Sequence, residues 1–155
     1  MGTHFCGTPE QVQALDTYIK LERAADSVTS RINAHLSDYG LTVSQFGILE
    51  SLHHLGPMCQ KSLAGKILKS TGNITFVIDN LAKRKLVRRQ RDTNDRRFIT
   101  IHLTDEGDTL IREIFPRHVE IVTREMGVLD GAEQESLGQL CRKVGLAEMQ
   151  LSPSE

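Results

Sequence analysis

The chain has 155 residues, which is enough for one domain with a substantial hydrophobic core, alone or with a helical extension. Hydrophobic residues make up 39% of it and the net charge is −1, so the bulk charge does not suggest a polyanionic partner. No apolar run approaches the roughly 18 residues of a membrane span, and the N-terminus does not resemble a signal peptide. These features predict a cytoplasmic protein without a membrane partner. Three widely spaced cysteines argue against a disulfide framework.

Residues 1–9 form a short polar segment that we expect to be a mobile arm. Apolar residues then recur every three or four positions, which predicts one long helix over residues 10 to about 39, ended by Gly40. Thr42 and Gln45 have the spacing of a capping box for a second helix that stops at Gly56. The predicted buried residues of this second helix are Phe46, Ile48, Leu49 and Leu52.

A short third helix is predicted over residues 60–68, and an amphipathic fourth helix begins near Thr71. The fourth helix gathers apolar residues at i, i+3, i+4 and i+7 on one buried face, namely Ile74, Val77, Ile78 and Leu81. The short connection between the two helices predicts a helix-turn-helix. The opposite face of the fourth helix is free to touch a partner and carries Asn73, Thr75, Phe76, Asp79, Asn80 and Lys83.

Two strands are predicted after the fourth helix, over residues 86–90 and 98–103, with turn-forming residues at 92–95. A helix-turn-helix followed by such a hairpin is a winged helix. Residues 83–97 carry eight cationic and two acidic side chains, a net charge of +6, so the rest of the chain sums to −7. This polarisation is typical of a module that meets a polyanion on one edge.

Thr104, followed by acidic residues, predicts the start of another helix, which continues to about residue 126 and is kinked or broken at Pro116. Asp130 and Glu133 resemble a capping box for the last helix. Cys141 lies on the apolar stripe of that helix, which predicts that it packs in the core. The tail after about residue 149 is expected to be loose.

The fourth helix has the size and chemistry to enter the DNA major groove. The backbone N–H groups of Thr71, Gly72 and Asn73 would meet phosphate, and Asn73 and Thr75 would reach base edges. Phe76 would pack on a thymine methyl group or, alternatively, would cover the core. The arginines of the hairpin would follow the DNA backbone or enter the minor groove.

The sequence resembles the MarR family of transcriptional regulators over nearly its whole length. The resemblance lies in residues 91–97 and 101–107, which look like the wing signature of the family. Further residues match the family pattern for its third helix, its recognition helix and the segment that follows, namely Leu63, Ala64, Thr75, Val77, Asp79, Leu81, Leu86 and Val87. It implies a homodimeric winged-helix protein that binds a pseudo-palindromic operator in double-stranded DNA, usually represses, and is released by a small molecule or an oxidant.

The resemblance also implies that Arg97 enters the minor groove and that Asp95 orients it. The sequence departs from the family at Phe76, where a basic residue is frequent, and at Lys85, where a glycine is frequent. The second departure predicts an ordinary helix end without a left-handed residue. The complete set of predicted DNA-binding residues is Ser70, Thr71, Gly72, Asn73, Thr75, Phe76, Asn80, Arg89, Asp95, Arg96 and Arg97.

The predicted fold is mainly α with a small β-hairpin, and residues 10–149 form a single MarR-like domain. Its winged helix-turn-helix DNA-binding lobe spans about residues 42–104. N- and C-terminal dimerisation helices span about residues 10–39 and 105–149, and residues 150–155 form a tail.

Two kinds of effector remain open. A small aromatic or lipophilic acid would bind between the dimerisation helices and the DNA-binding lobe, with polar contacts from His35, Tyr39 and His118. Alternatively, Cys59 near the start of the third helix, or Cys6 in the arm, would sense an oxidant. The six histidines lack the spacing of a metal site, so neither a metal nor another cofactor is predicted.

Two other classes of protein compete with a DNA-binding regulator. An enzyme is disfavoured because the sequence contains none of the common catalytic motifs. A winged helix that serves only as a protein-interaction scaffold, without DNA binding, would need an apolar outer face on the fourth helix, and Phe76 is the one residue that favours it.

Overall fold

A computed structural model of the protein describes residues 3–67, 71–91 and 99–146, with only the backbone at Thr71 and Gly72. None of the helices in these residues combines the length and apolar character that a bilayer span requires. In chain order the elements are α1 (Pro9–Asn33), a 3₁₀ helix (Ala34–Tyr39), α2 (Val43–Leu55), β1 (Met58–Cys59), α3 (Gln60–Lys66), α4 (Thr71–Lys83), β2 (Val87–Arg91), β3 (Ile99–Leu103), α5 (Asp105–Met126) and α6 (Gly131–Gly145).

Helices α2 and α4 meet in the hydrophobic core through the residues that the sequence predicted. The capping box at the start of α2 is confirmed, because Thr42 and Gln45 exchange hydrogen bonds at 2.9 and 3.2 Å. Helix α4 is buried along one side only, and this leaves its opposite side facing outward. The buried residues of the two helices are Phe46, Ile48, Leu49, Leu52, Ile74, Val77, Ile78 and Leu81.

The predicted first helix does not run without change to residue 39. Helix α1 ends at Asn33 and the chain winds more tightly through the 3₁₀ helix, where the Ser37 hydroxyl donates to the Ala34 carbonyl at 2.8 Å. The tighter winding turns His35 and Leu36 into the core. Gly40 ends this helix with a left-handed φ of 61°, as the sequence predicted.

The hairpin belongs to a three-stranded antiparallel sheet with the order β1-β3-β2. Strands β2 and β3 pair from Val87 with Leu103 to Arg91 with Ile99, and this confirms that the two predicted strands pair with each other. The sequence did not reveal β1, whose two residues pair with the other edge of β3. The predicted turn at residues 92–95 lies outside the described residues.

Helix α5 begins against the turn that follows α4. The Leu-Thr-x-x-Gly sequence at residues 103–107 explains this contact. The Gly107 N–H donates to the Thr104 hydroxyl at 3.0 Å, and this hydroxyl donates to the Lys85 carbonyl at 2.6 Å. A Cβ added at Gly107 would collide with the backbone oxygen of Leu86. Thr104 therefore caps α5, and Gly107 permits the close approach.

Two predictions for the C-terminal helices need correction. Helix α5 is not broken at Pro116 but continues to Met126, because a proline removes only one hydrogen bond of a helix and buried Ile111 and Ile114 hold this one against the core. Cys141 is exposed rather than packed in the core, since α6 holds no buried residue in the single chain. The capping box that begins α6 is confirmed by two hydrogen bonds of 2.9 Å.

The chain leaves α4 through a left-handed residue, Lys85, whose φ is 59°. The sequence predicted an ordinary helix end because this position is not glycine, and that prediction is wrong. The Leu86 N–H donates to the Leu81 carbonyl at 3.0 Å and the Lys85 N–H donates to the Ala82 carbonyl at 2.9 Å. This pair of bonds is a Schellman motif, which requires left-handed backbone whichever residue occupies the position.

Replacing Lys85 with glycine should stabilise the protein, because glycine adopts left-handed backbone without a steric penalty at Cβ. We expect the free energy of unfolding, measured by urea denaturation, to rise by about 1 kcal/mol. The matched control is Lys83→Gly in the right-handed last turn of α4, which should lose about 1 kcal/mol. Equal destabilisation by the two substitutions would contradict the left-handed turn.

Candidate nucleic-acid interface

The outward face of α4 is polar and open to a partner. Asn73, Thr75 and Phe76 are exposed, and Phe76 leaves 65% of its surface accessible. The alternative in which Phe76 covers the core is therefore wrong. Asn80, in the second half of the helix, is half-buried. The exposed residues Asn73, Thr75 and Phe76 thus lie in the N-terminal half of α4, where the sequence placed the base-reading residues.

A contact between α3 and α4 adds one residue to this face. The side-chain amide of Gln60, the first residue of α3, donates to the Thr75 hydroxyl. Nothing in the sequence singled out Gln60, because a polar residue at a helix start carries no periodic signal and its partner is distant in the chain. The contact fixes one end of α3 beside the exposed face of α4.

Among the described cations of segment 83–97, Arg84 and Arg89 bind to other helices of the protein. Arg84 donates to the backbone carbonyls of Gly40 at 2.7 Å and Tyr39 at 3.2 Å, so its guanidinium lies at the C-terminal end of the 3₁₀ helix. Arg89 forms an ion pair of 2.6 Å with Asp79 on α4. The charge count of the sequence therefore overstates how many of these cations project freely into solvent.

All the described cations of the segment are exposed, and the others bind no other helix in the part of the chain that the structure describes. On one side of the hairpin Arg88 donates to the side chain of Gln90 at 2.7 Å, and Thr100 and His102 share a hydrogen bond of 2.9 Å across from them. Exposed cations in the described residues of segment 83–97 include Lys83, Lys85, Arg88 and Arg91. Four members of the predicted DNA-binding set lie outside the described residues, namely Ser70, Asp95, Arg96 and Arg97.

The structure brings two of the three predicted effector residues together. The rings of His35 and His118 lie 5.3 Å apart, and Phe46 of α2 lies 4.6 Å from His118. Burial, followed by the nearby His35, lowers the pKa of His118, so the neutral imidazole is favoured. Tyr39 is instead hydrogen-bonded to Arg117, and this bond raises the pKa of Arg117.

These two histidines carry buried nitrogen atoms without partners among the described residues. His35 uses Nδ1 to donate to the Ile32 carbonyl at 2.8 Å, and its Nε2 has no hydrogen-bonding partner. The Nδ1 of His118 also lacks one. Buried polar atoms of this kind are rare in folded proteins, and each is expected to bind a partner such as water or a polar ligand.

The cysteines of the predicted thiol switch occupy different surroundings. Cys59 precedes the first turn of α3, and its Sγ lies 3.2 Å from the Ser62 hydroxyl. Hydrogen bonds from the side chain and then the backbone of Ser62 lower the pKa of Cys59. Cys6 is exposed. Within the described residues, histidine, cysteine and acidic side chains form no group of three or more that could hold a metal ion.

Helices α1 and α6 leave apolar surface uncovered. Both lie within the described part of the chain, and neither holds a buried residue. Between them runs an apolar groove of about 310 Å³. Its apolar walls are formed by Leu21 and Ala24 of α1 and by Leu137, Leu140, Cys141 and Val144 of α6.

A helix-turn-helix whose second helix faces outward, beside a cationic antiparallel hairpin, defines a winged-helix DNA-binding protein. Residues 41–99 match the model of the MarR family. Over 134 residues the chain is 33% identical to the HTH-type transcriptional regulator MhqR of Bacillus subtilis, covering 86% of this chain and 92% of the relative. The chain belongs to the MarR family, whose members are DNA-binding transcriptional regulators and not enzymes.

Solved structures share the fold. The chain is similar to Sco3205 of Streptomyces coelicolor, a MarR family regulator determined in complex with DNA, with a TM-score of 0.81, 24% identity and coverage of 97% of this chain and 94% of that one. It is also similar to BpsR of Bordetella bronchiseptica, whose DNA binding is regulated by 6-hydroxynicotinic acid. That comparison gives a TM-score of 0.75, 26% identity and coverage of 94% and 98%.

Proposed function

We propose that this chain is a repressor that binds a pseudo-palindromic operator as a homodimer in the cytoplasm and releases it when a small aromatic or lipophilic acid binds. The observation that carries the proposal is the outward face of α4, which is exposed at Asn73, Thr75 and Phe76. Donors, acceptors and one apolar side chain together match the groups that a base pair displays in the major groove. A protein-interaction scaffold would instead need a continuous apolar face here.

In the proposed complex the N-terminal half of α4 lies in the major groove, and Thr71 and Gly72 bring their backbone N–H groups to phosphate. The wing follows the adjacent backbone, where Arg96 and Arg97 bind phosphate or the minor groove and Asp95 orients Arg97. Asn80 contacts the edge of the site. The DNA-binding lobe of this proposal spans about residues 42–104, between dimerisation helices at about 10–39 and 105–149.

Phe76→Ala tests the role of α4 with little risk to the fold, because the ring is exposed and contributes little to the core. We expect the affinity for the operator to fall about tenfold or more, since an apolar contact with thymine methyl groups is lost. The measurement is fluorescence anisotropy with a duplex selected by the wild-type protein from a random pool. Phe5→Ala, which removes another half-exposed ring, is the matched control. Equal effects of the two substitutions would contradict the proposed groove contact.

The homodimer is supported by the uncovered surface of α1 and α6. Apolar side chains remain exposed on both helices, including Leu140 at 61% and Val144 at 61%. A soluble protein rarely leaves a contiguous apolar surface of this kind open to water. Pairing these helices with a second copy would cover the groove. The dimer would then carry two copies of α4, and we propose that they bind half-sites about one helical turn, 34 Å, apart.

Leu140→Glu should convert the dimer to a monomer, because it places an unpaired carboxylate in the apolar contact. Sedimentation velocity should give about twice the 17.3 kDa chain mass for the wild type and the single chain mass for the variant. Val128→Glu is the control, because Val128 is 84% exposed and lies outside the groove. A monomeric wild type would contradict the proposed assembly.

The effector site is proposed at His35 and His118, with Tyr39 at its edge. The two unpartnered imidazole nitrogens offer hydrogen bonds to the polar groups of an aromatic acid, and Phe46 offers a face for its ring. Because both nitrogen atoms are buried, a ligand enters only if α2 and α5 separate. Such a separation would tilt the DNA-binding lobe and change the spacing of the two recognition helices, which gives a physical route to DNA release.

His118→Phe should keep operator binding and lose the response to acids, because it retains the apolar ring and removes the nitrogen atoms. The probe is 6-hydroxynicotinic acid within a panel of small aromatic acids, read as a rise in melting temperature and as release of the labelled operator. A variant that responds like the wild type would contradict this site. Release by peroxide in the wild type but not in Cys59→Ser would identify oxidation of the Cys59 thiol as the switch instead.

A further inference from the structure

The ion pair between Asp79 and Arg89 joins the recognition helix to the wing. The Arg89 Nη2 lies 2.6 Å from the Asp79 Oδ1, and both side chains are partly exposed. An acidic residue beside a DNA-binding surface is unfavourable on electrostatic grounds alone, because it repels phosphate. If Asp79 favours DNA binding, the effect of its ion pair on the structure must therefore outweigh this repulsion.

The strand register shows why Arg89 reaches α4. Arg89 is paired with Ile101, and it follows Val87 by two residues, so all three project from the same face of the sheet. Ile101 and Val87 are buried in the core. Arg89 accordingly projects toward the helices, whereas Arg88 and its partner His102 occupy the other face.

The position of Asp79 on α4 makes this contact relevant to DNA. Asp79 follows Phe76 by three residues and Thr75 by four, so these three side chains are neighbours along the helix surface. The contact to Arg89 therefore attaches the root of the β2–β3 hairpin next to the exposed face of α4. A change in this contact would alter the angle between the two parts that meet the duplex.

We propose that Asp79 and Arg89 are positioning residues, whose ion pair sets the orientation of the wing relative to the recognition helix, and that Arg89 makes no phosphate contact of its own. This role differs from the direct DNA contact that the sequence suggested for Arg89. It rests on the proposed binding of an operator through α4 and the wing.

Asp79→Asn separates a charge effect from a positioning effect, because the two predict opposite changes in affinity for the operator. If only charge mattered, loss of an acidic side chain would leave affinity unchanged or raise it. If the ion pair positions the wing, affinity for the selected operator should fall about tenfold. Glu50→Gln on α2 is the charge-matched control, because this half-buried residue lies outside α4, the hairpin and the α1–α6 groove, and it should change affinity by less than about twofold.

Arg89→Gln separates positioning from phosphate contact through the salt dependence of binding. A lost phosphate contact reduces the slope of log K against log salt by about 1, whereas a lost positioning contact lowers affinity and keeps the slope. The Asp79→Asn/Arg89→Gln double variant should bind no more than about twofold more weakly than the weaker single variant. Additive losses, or a reduced slope for Arg89→Gln, would overturn the proposal.

A loss of stability is not expected to account for weaker DNA binding by these variants, because partly exposed ion pairs contribute little to stability. Circular dichroism melting of each variant checks this point, and Asp79→Glu with Arg89→Lys provides a second pair that retains both charges while changing the geometry. This pair should also weaken binding, and unchanged affinity would overturn the proposal. Failure of the wild-type protein to select any duplex would instead remove the proposed function itself.

Discussion

Packing of Ile74, Ile78 and Leu81 against the core fixes the rotation of α4 about its own axis, and the outward face follows from that constraint. All three side chains are fully removed from solvent. A shift of one residue along the helix would rotate it by about 100° and would bring polar side chains into the core. The same packing that stabilises the domain therefore leaves Asn73, Thr75 and Phe76 on the outward face that is proposed to meet DNA.

The C-terminal end of α4 is also fixed by specific contacts. The left-handed turn at Lys85 reverses the chain, the Thr104 hydroxyl binds the Lys85 carbonyl, and Gly107 lets α5 approach the same turn. Arg84 ties this end to the 3₁₀ helix, which also carries His35. Helix α4 is thus connected through a short set of polar contacts to the 3₁₀ helix, where an effector is proposed to bind. These contacts are the physical route by which the proposed ligand would change DNA affinity.

Local patterns in the sequence were sufficient to predict most of the helices, because capping boxes and apolar spacing involve residues only a few positions apart. The buried stripe of α4 and the caps at Thr42 and Asp130 are examples. Features that depend on residues far apart in the chain could not be predicted from these local patterns. Strand β1 is only two residues long, the meeting of His35 with His118 requires the folded chain, and the bonds of Arg84 to the carbonyls of Gly40 and Tyr39 cannot be predicted from a charge count. At Lys85 the hydrogen bonds of the turn outweigh the preference of the residue.

The most direct measurement of the central claim is chemical protection of guanine N7, which lies in the major groove and reacts with dimethyl sulfate. If the outward face of α4 enters that groove in a symmetric dimer, bound protein should protect N7 in two patches whose centres are about 10 base pairs apart or a multiple of that spacing. A duplex that binds the protein tightly while every guanine N7 stays reactive would contradict the account.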